Sequence, residues 1–172
     1  MADLKEVVSK ALSFLDSKGK TIVLKAEQEK ALYSLLEGND VLAVLPTGFG
    51  KTMIFTMFSV AARERTLQAP VSVLVISLLT SIITDQIADV EGLCKAAELK
   101  ADNLNAILKD PPHFIYASAE KVLEERFLRF IILVFHFISS PLVTYCILKY
   151  FLHVFHLCTA ILLSYIFVRN AL

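Results

Sequence analysis

The sequence predicts an α/β fold, a parallel sheet with flanking helices, followed by a hydrophobic helical tail. Three observations predict it. Over residues 1–126 of the 172, short apolar runs alternate with longer stretches of helical periodicity, the order expected of a parallel sheet. Charge divides the chain: residues 1–126 carry 14 Lys or Arg against all 17 acidic residues, a balance of −3, while 127–172 hold Arg129, Lys149 and Arg169 alone. The composition is 56% hydrophobic with five Gly and five Pro, which excludes disordered, collagen-like and low-complexity classes. The chain therefore divides into a soluble α/β part, 1–126, and a hydrophobic tail, 127–172.

The elements follow in order. Asp3 interrupts any apolar run of signal-peptide length, and Leu4, Val7, Val8, Ala11, Leu12 and Leu15 recur at helical spacing, so a first helix runs to near Gly19. A second covers about 27–37, with Ala31, Leu32, Leu35 and Leu36 as its apolar stripe and Gly38 as its stop. Residues 41–45 (VLAVL) are continuously apolar, as expected of a strand buried on both faces. A loop, a helix over 51–65 and a second buried-type strand over 71–76 complete a βαβ unit. A helix over 81–90, a strand over 114–117 and a helix over 119–126 follow.

The tail has different chemistry. Residues 130–148 and 150–168 are each nineteen residues without a formal charge, close to the roughly 20 needed to cross a bilayer. They predict one or two transmembrane helices and, with them, membrane association and a membrane location. Lys149 alone separates the runs, whereas antiparallel helices need a connection of about 2 to 5 residues, so one span is the simpler reading. The cysteines, Cys94, Cys146 and Cys158, form no disulfide framework, and the four histidines, His113, His136, His153 and His156, complete no metal-ligand set.

The strongest local signal is Leu45-Pro46-Thr47-Gly48-Phe49-Gly50-Lys51-Thr52, set between a predicted strand and a predicted helix. Such a loop offers successive backbone N–H groups and a helix N-terminus to a phosphate. Gly48 and Gly50 allow close approach of the backbone, Lys51 would reach the outer phosphates, and the Thr52 hydroxyl would hold Mg²⁺. The general phosphate-loop pattern has Gly where this chain has Leu45.

With those residues in place, the segment LKAEQEKALYSLLEGNDVLAVLPTGFGKT (24–52) resembles the start of RecQ-like DNA helicases of superfamily 2, in which an apolar residue before Pro-Thr-Gly is usual. VLVISLLTSIITDQI (73–87) is similar to that family's motif Ia, with Leu78 where Pro is usual, and FIYASAEKVLEERFL (114–128) to its next motif, with Ala119 where Pro is common. The resemblance, over about 23–128, implies an incomplete RecA-like sheet of the P-loop NTPase type. It implies ATP and Mg²⁺ as cofactors, single-stranded DNA as a partner and, without a membrane anchor, a nuclear location.

Carried over residue by residue, Gln28 matches the glutamine that recognises adenine, and Lys25 a basic residue three positions earlier. An amide can pair with a donor and an acceptor on the adenine edge. Thr47, Gly48, Phe49, Gly50, Lys51 and Thr52 complete the nucleotide set. Ser77, Ser81, Asp85 and Gln86 match the region along the DNA path; Ser118 and Glu120 match the following motif.

The family's Asp-Glu-x-His box should follow the 119–126 helix, where its carboxylates bind Mg²⁺ and position the attacking water. No acidic residue follows Glu125, and neither the later motifs nor a second RecA-like lobe is present. The resemblance thus predicts a truncated ATP-binding domain with no catalytic residues, which binds ATP and single-stranded DNA without hydrolysis or unwinding. Two alternatives stand beside it: a membrane-anchored nucleotide-binding protein, and a non-catalytic DNA-interaction module.

Overall fold

The computed structural model describes residues 3–65, 71–77, 80–127, 145–151 and 163–170. Helix α1 (Leu4–Ser17) is capped by Asp3, whose carboxylate accepts the Lys5 N–H at 3.1 Å, and it buries Val7, Val8, Ala11 and Leu15. Helix α2 (Ala26–Leu36) buries the predicted stripe, and Gly38 follows it at φ 90°, a conformation glycine adopts without cost. Strand β1 (Val41–Pro46) leads through a short loop into α3 (Lys51–Arg65). Then come β2 (Val73–Ser77), α4 (Thr80–Val90), β3 (Ala96–Glu98), α5 (Leu104–Lys109), β4 (Phe114–Ser118) and α6 (Ala119–Leu123). Two strands from the tail, β5 (Tyr145–Phe151) and β6 (Leu163–Asn170), complete the described elements.

All six strands lie in one sheet, in the order β1-β6-β5-β2-β4-β3. Strands β5, β2, β4 and β3 pair in parallel, and β6 runs antiparallel to both its neighbours. Side chains alternate across the sheet with the two-residue period of a strand. Val73, Val75, Phe114 and Tyr116 enter a larger core with α1, α2, α3 and α4, while Leu74, Ile76, Ile115 and Ala117 meet Leu99, Ile107 and Phe127 on the other face. Helix α3 is buried on all sides from Ile54 to Ala62 because α1 and α2 cover the face turned away from the sheet. The α/β class read from the sequence is therefore the class observed, with helices on both faces of a parallel β2-β4-β3 unit.

Four expectations are corrected. The tail was expected to be helical, yet its described parts, β5 and β6, are strands. A continuous apolar run does not by its periodicity distinguish helix from strand, and these segments are rich in aromatic and β-branched residues that fit a pleated surface. Among the described residues no helix is long and apolar enough to cross a membrane. Much of the two predicted spans, residues 130–144 and 152–162, lies outside the described residues. Second, β1 is not buried on both faces: Leu42 is 62% and Val44 46% exposed, because only the alternate residues Val41, Ala43 and Leu45 pack into the core with the helices. Third, β3 and α5 were not anticipated. Last, α6 stops at Leu123 rather than 126, since Glu124 turns extended at φ −65°, ψ 133°.

Candidate phosphate-loop site

The parallel strands end at one edge of the sheet, where α/β proteins bind ligands. Strand β1 delivers the loop Thr47–Gly50 to that edge, and α3 starts at Lys51. Gly48 and Gly50 hold φ 77° and 84°, left-handed conformations that a side chain resists, and these two residues bend the loop. Two hydrogen bonds close it: Phe49 N–H donates to Pro46 O at 3.2 Å and Met53 N–H to Gly50 O at 3.0 Å.

Lys51 is buried, 7% exposed, with its ammonium donating to the carbonyls of Leu45 at 2.9 Å and Pro46 at 2.5 Å. Burial lowers its pKa from the usual lysine value, because a charged ammonium loses hydration there. The two carbonyls return part of that cost as charge-assisted hydrogen bonds.

Gln28 joins α2 to the loop. Its side-chain oxygen accepts the Lys25 N–H at 2.8 Å, while its nitrogen donates to the carbonyls of Phe49 and Gly50, each at 3.0 Å. The Lys25 ammonium stands 4.2 Å from the Phe49 ring centroid, in cation–π contact. The Gln28 amide, aimed at adenine by the family resemblance, is thus engaged with the loop backbone in this structure.

A cavity of about 380 Å³ opens on the loop, lined by Thr47, Gly48, Gly50, Lys51 and Thr52. Met53 and Thr56 of α3, Lys20 after α1, Asp89 and Val90 at the end of α4, and Leu93 beyond it form the rest of its wall. The structure therefore gathers five of the eight predicted nucleotide residues around one cavity and sets the other three, Lys25, Gln28 and Phe49, together outside its lining. Sequence reading missed Lys20 and Asp89. Both are polar residues outside any local motif, and tertiary packing alone brings them to the loop.

The predicted DNA residues are more dispersed. Ser77 and Ser118 pair in register at the ends of β2 and β4, but they are 0% and 3% exposed, and Ser118 is the cap of α6, accepting the Lys121 N–H at 3.2 Å. Gln86 is 4% exposed and faces the core. Ser81 and Asp85 of α4 are exposed, as is Glu120 of α6.

His113 is structural. Its Nδ1 accepts the Lys95 N–H at 3.3 Å, and its carbonyl accepts Val73 N–H at 2.8 Å and the Ser59 hydroxyl at 3.4 Å. Burial, helped by the positive charges of Arg63 and Lys95, pushes its pKa down to about 4. Among the described residues no cluster of His, Cys, Asp or Glu could hold a metal ion on its own.

Comparison with known proteins agrees with the geometry. The family described as DEAD/DEAH box helicase matches residues 25–134, more than half of the chain. A stretch of 70 residues is 37% identical to the ATP-dependent DNA helicase Q4 of Mus musculus, taking in 41% of this chain and 6% of that relative. The matched stretch is thus a small part of the relative's length. The matching region takes in the loop, its strand and helix, and the sheet edge they share, and on that ground the chain belongs to the DEAD/DEAH box helicase family, with a likeness to its RecQ-like members.

Proposed function

We propose that this chain is a helicase ATP-binding domain that takes up ATP with Mg²⁺ at the Thr47–Thr52 loop and does not hydrolyse it by itself. The supporting observation is the strand-loop-helix arrangement with Thr47, Gly48, Gly50, Lys51 and Thr52 on one cavity wall. The residues fit the group: no heavy atom would lie within 4 Å of a Cβ on Gly48, so the backbone is open there to a phosphate. Thr47, Gly48, Gly50, Lys51 and Thr52 would hold the triphosphate, with Thr52 toward the metal. Bound Mg²⁺ neutralises phosphate charge. The chain's own contribution is to surrender the Lys51 contacts to Leu45 and Pro46 in favour of phosphate oxygens.

Hydrolysis is not part of this reading, since within the 172 residues no carboxylate follows Glu125 to position a water. Single-stranded DNA is a weak partner in it, because the balance of −3 over residues 1–126 opposes phosphate binding. The nuclear location implied by the family goes with that partner.

The test is titration of the full chain with a fluorescent, non-hydrolysable ATP analogue in Mg²⁺. Lys51→Ala should weaken binding about 10- to 100-fold, the worth of a charge-assisted contact. Equal affinity of wild type and variant would remove the nucleotide assignment. Phosphate release from ATP above background, abolished by the same substitution, would remove the non-hydrolytic part.

A further inference from the structure

Mg²⁺ is seldom held by protein alone; it takes one or two carboxylates together with substrate phosphates and water. Within the 172 residues every Asp and Glu lies at or before Glu125, so an acid of this sequence near the phosphate loop comes from that part. Among the residues lining the cavity, Asp89 is that acid. It lies in the last turn of α4, exposed, and takes no ion pair among the described residues. Thr52, whose hydroxyl would face a metal, lines the same cavity. A volume of 380 Å³ equals that of a sphere about 9 Å across, a space that a hydrated cation between a carboxylate and a triphosphate can bridge.

We propose that Asp89 makes nucleotide binding at this loop depend on a divalent cation, holding hydrated Mg²⁺ from the wall formed by α4. The inference rests on the nucleotide reading above and adds a residue to it. Its electrostatic logic has two signs. Without metal, the carboxylate repels the triphosphate across the cavity. With metal, it attracts the cation that the phosphates share. Replacing Asp89 by its neutral isostere should therefore strengthen metal-free binding while weakening metal-bound binding, an outcome that simple loss of packing would not produce. The exposure of Asp89 makes this a mild substitution for the fold.

The experiment is titration of the full chain, wild type and Asp89→Asn, with the fluorescent ATP analogue in excess Mg²⁺ and again in EDTA. Thermal melting of both proteins verifies that the variant is folded. Wild type should bind roughly tenfold or more tighter with Mg²⁺, and the variant's ratio should shrink to within about threefold, chiefly through a gain in EDTA. Electron paramagnetic resonance with Mn²⁺ in place of Mg²⁺ gives a second readout: the nucleotide-bound manganese spectrum should change on substitution. Binding by both proteins with the same metal ratio would overturn the role of Asp89 and leave the nucleotide site standing. Absence of binding in both conditions would overturn the nucleotide reading and this inference with it.

Discussion

The side-chain nitrogen of Gln28 donates to the carbonyl of Gly50 at 3.0 Å, and a Cβ on that glycine would lie 2.7 Å from the same nitrogen. The start of α2 thus reads the shape of the phosphate loop directly, and only glycine allows the approach. Gly50→Ala should cost about 1–3 kcal/mol, combining the left-handed backbone with displacement of Gln28. Gly48→Ala, at φ 77° but with open space around the Cβ, should cost about 1–2 kcal/mol from the backbone alone. Urea unfolding of both variants is the check, and coincident midpoints would show that the Gln28 approach carries no weight.

Lys51→Met separates the binding role of the lysine from its structural one. The ammonium loses hydration on burial and regains hydrogen bonds to Leu45 and Pro46. These effects oppose each other, so stability without nucleotide should change by no more than about 1 kcal/mol. Binding of the ATP analogue should still weaken by about 10- to 100-fold. A large fall in the melting temperature would mean that the lysine is chiefly a structural anchor of the loop.

His113 makes stability depend on pH. Its folded pKa is about 4, below the ordinary 6.5, so the folded protein prefers the neutral ring. That contribution is complete above pH 6.5 and is lost as pH falls from 6.5 to 4, where the unfolded chain takes up a proton and the folded chain does not. The loss should reach about 1–3 kcal/mol. Glu98, held below its usual range by its hydrogen bond from Lys121, adds a further loss at still lower pH. Denaturant titrations at pH 7, 5.5 and 4.5 should show the decline, and His113→Gln should flatten it between 7 and 4.5.

Tyr116 tests the core behind α4. Its ring is fully buried, its hydroxyl has no hydrogen-bond partner among the described residues, and burial raises its pKa. Tyr116→Phe removes the unpaired hydroxyl and keeps the ring, which packs 6.1 Å from Phe114. The variant should be as stable as wild type or up to about 2 kcal/mol more so. Destabilisation beyond about 1 kcal/mol would show that the hydroxyl has a partner in solution.

Legibility followed contiguity. Helix α1 announced itself by the spacing of Val7, Val8, Ala11 and Leu15, and β2 and β4 by unbroken apolar runs, because local periodicity and burial coincide in these elements. The loop from Thr47 to Thr52 was readable for the same reason, as its residues are consecutive. Strand β3 was not: Ala96–Glu98 is three residues of intermediate burial with no apolar run to mark it. The exposed face of β1 was hidden as well, since which face the helices cover is set by tertiary packing. Lys20 and Asp89 gave no local sign, for they join the cavity through the packing of α1 and α4. Gln28 was singled out, but which groups its amide would meet depends on how the loop folds back on α2.

The pairing of β1 with β6 sets a timetable for folding. Within the described sheet β1 is joined to its neighbours through β6 alone, with Val41 opposite Val168. Closing so long a stretch is slow and entropically costly, because the intervening chain must be ordered before the pairing returns any free energy. On the ribosome the strand that carries the phosphate loop emerges well before its partner, since Val41 and Val168 are 127 positions apart. Until β6 has been made, β1 is an unpaired edge open to the wrong strand.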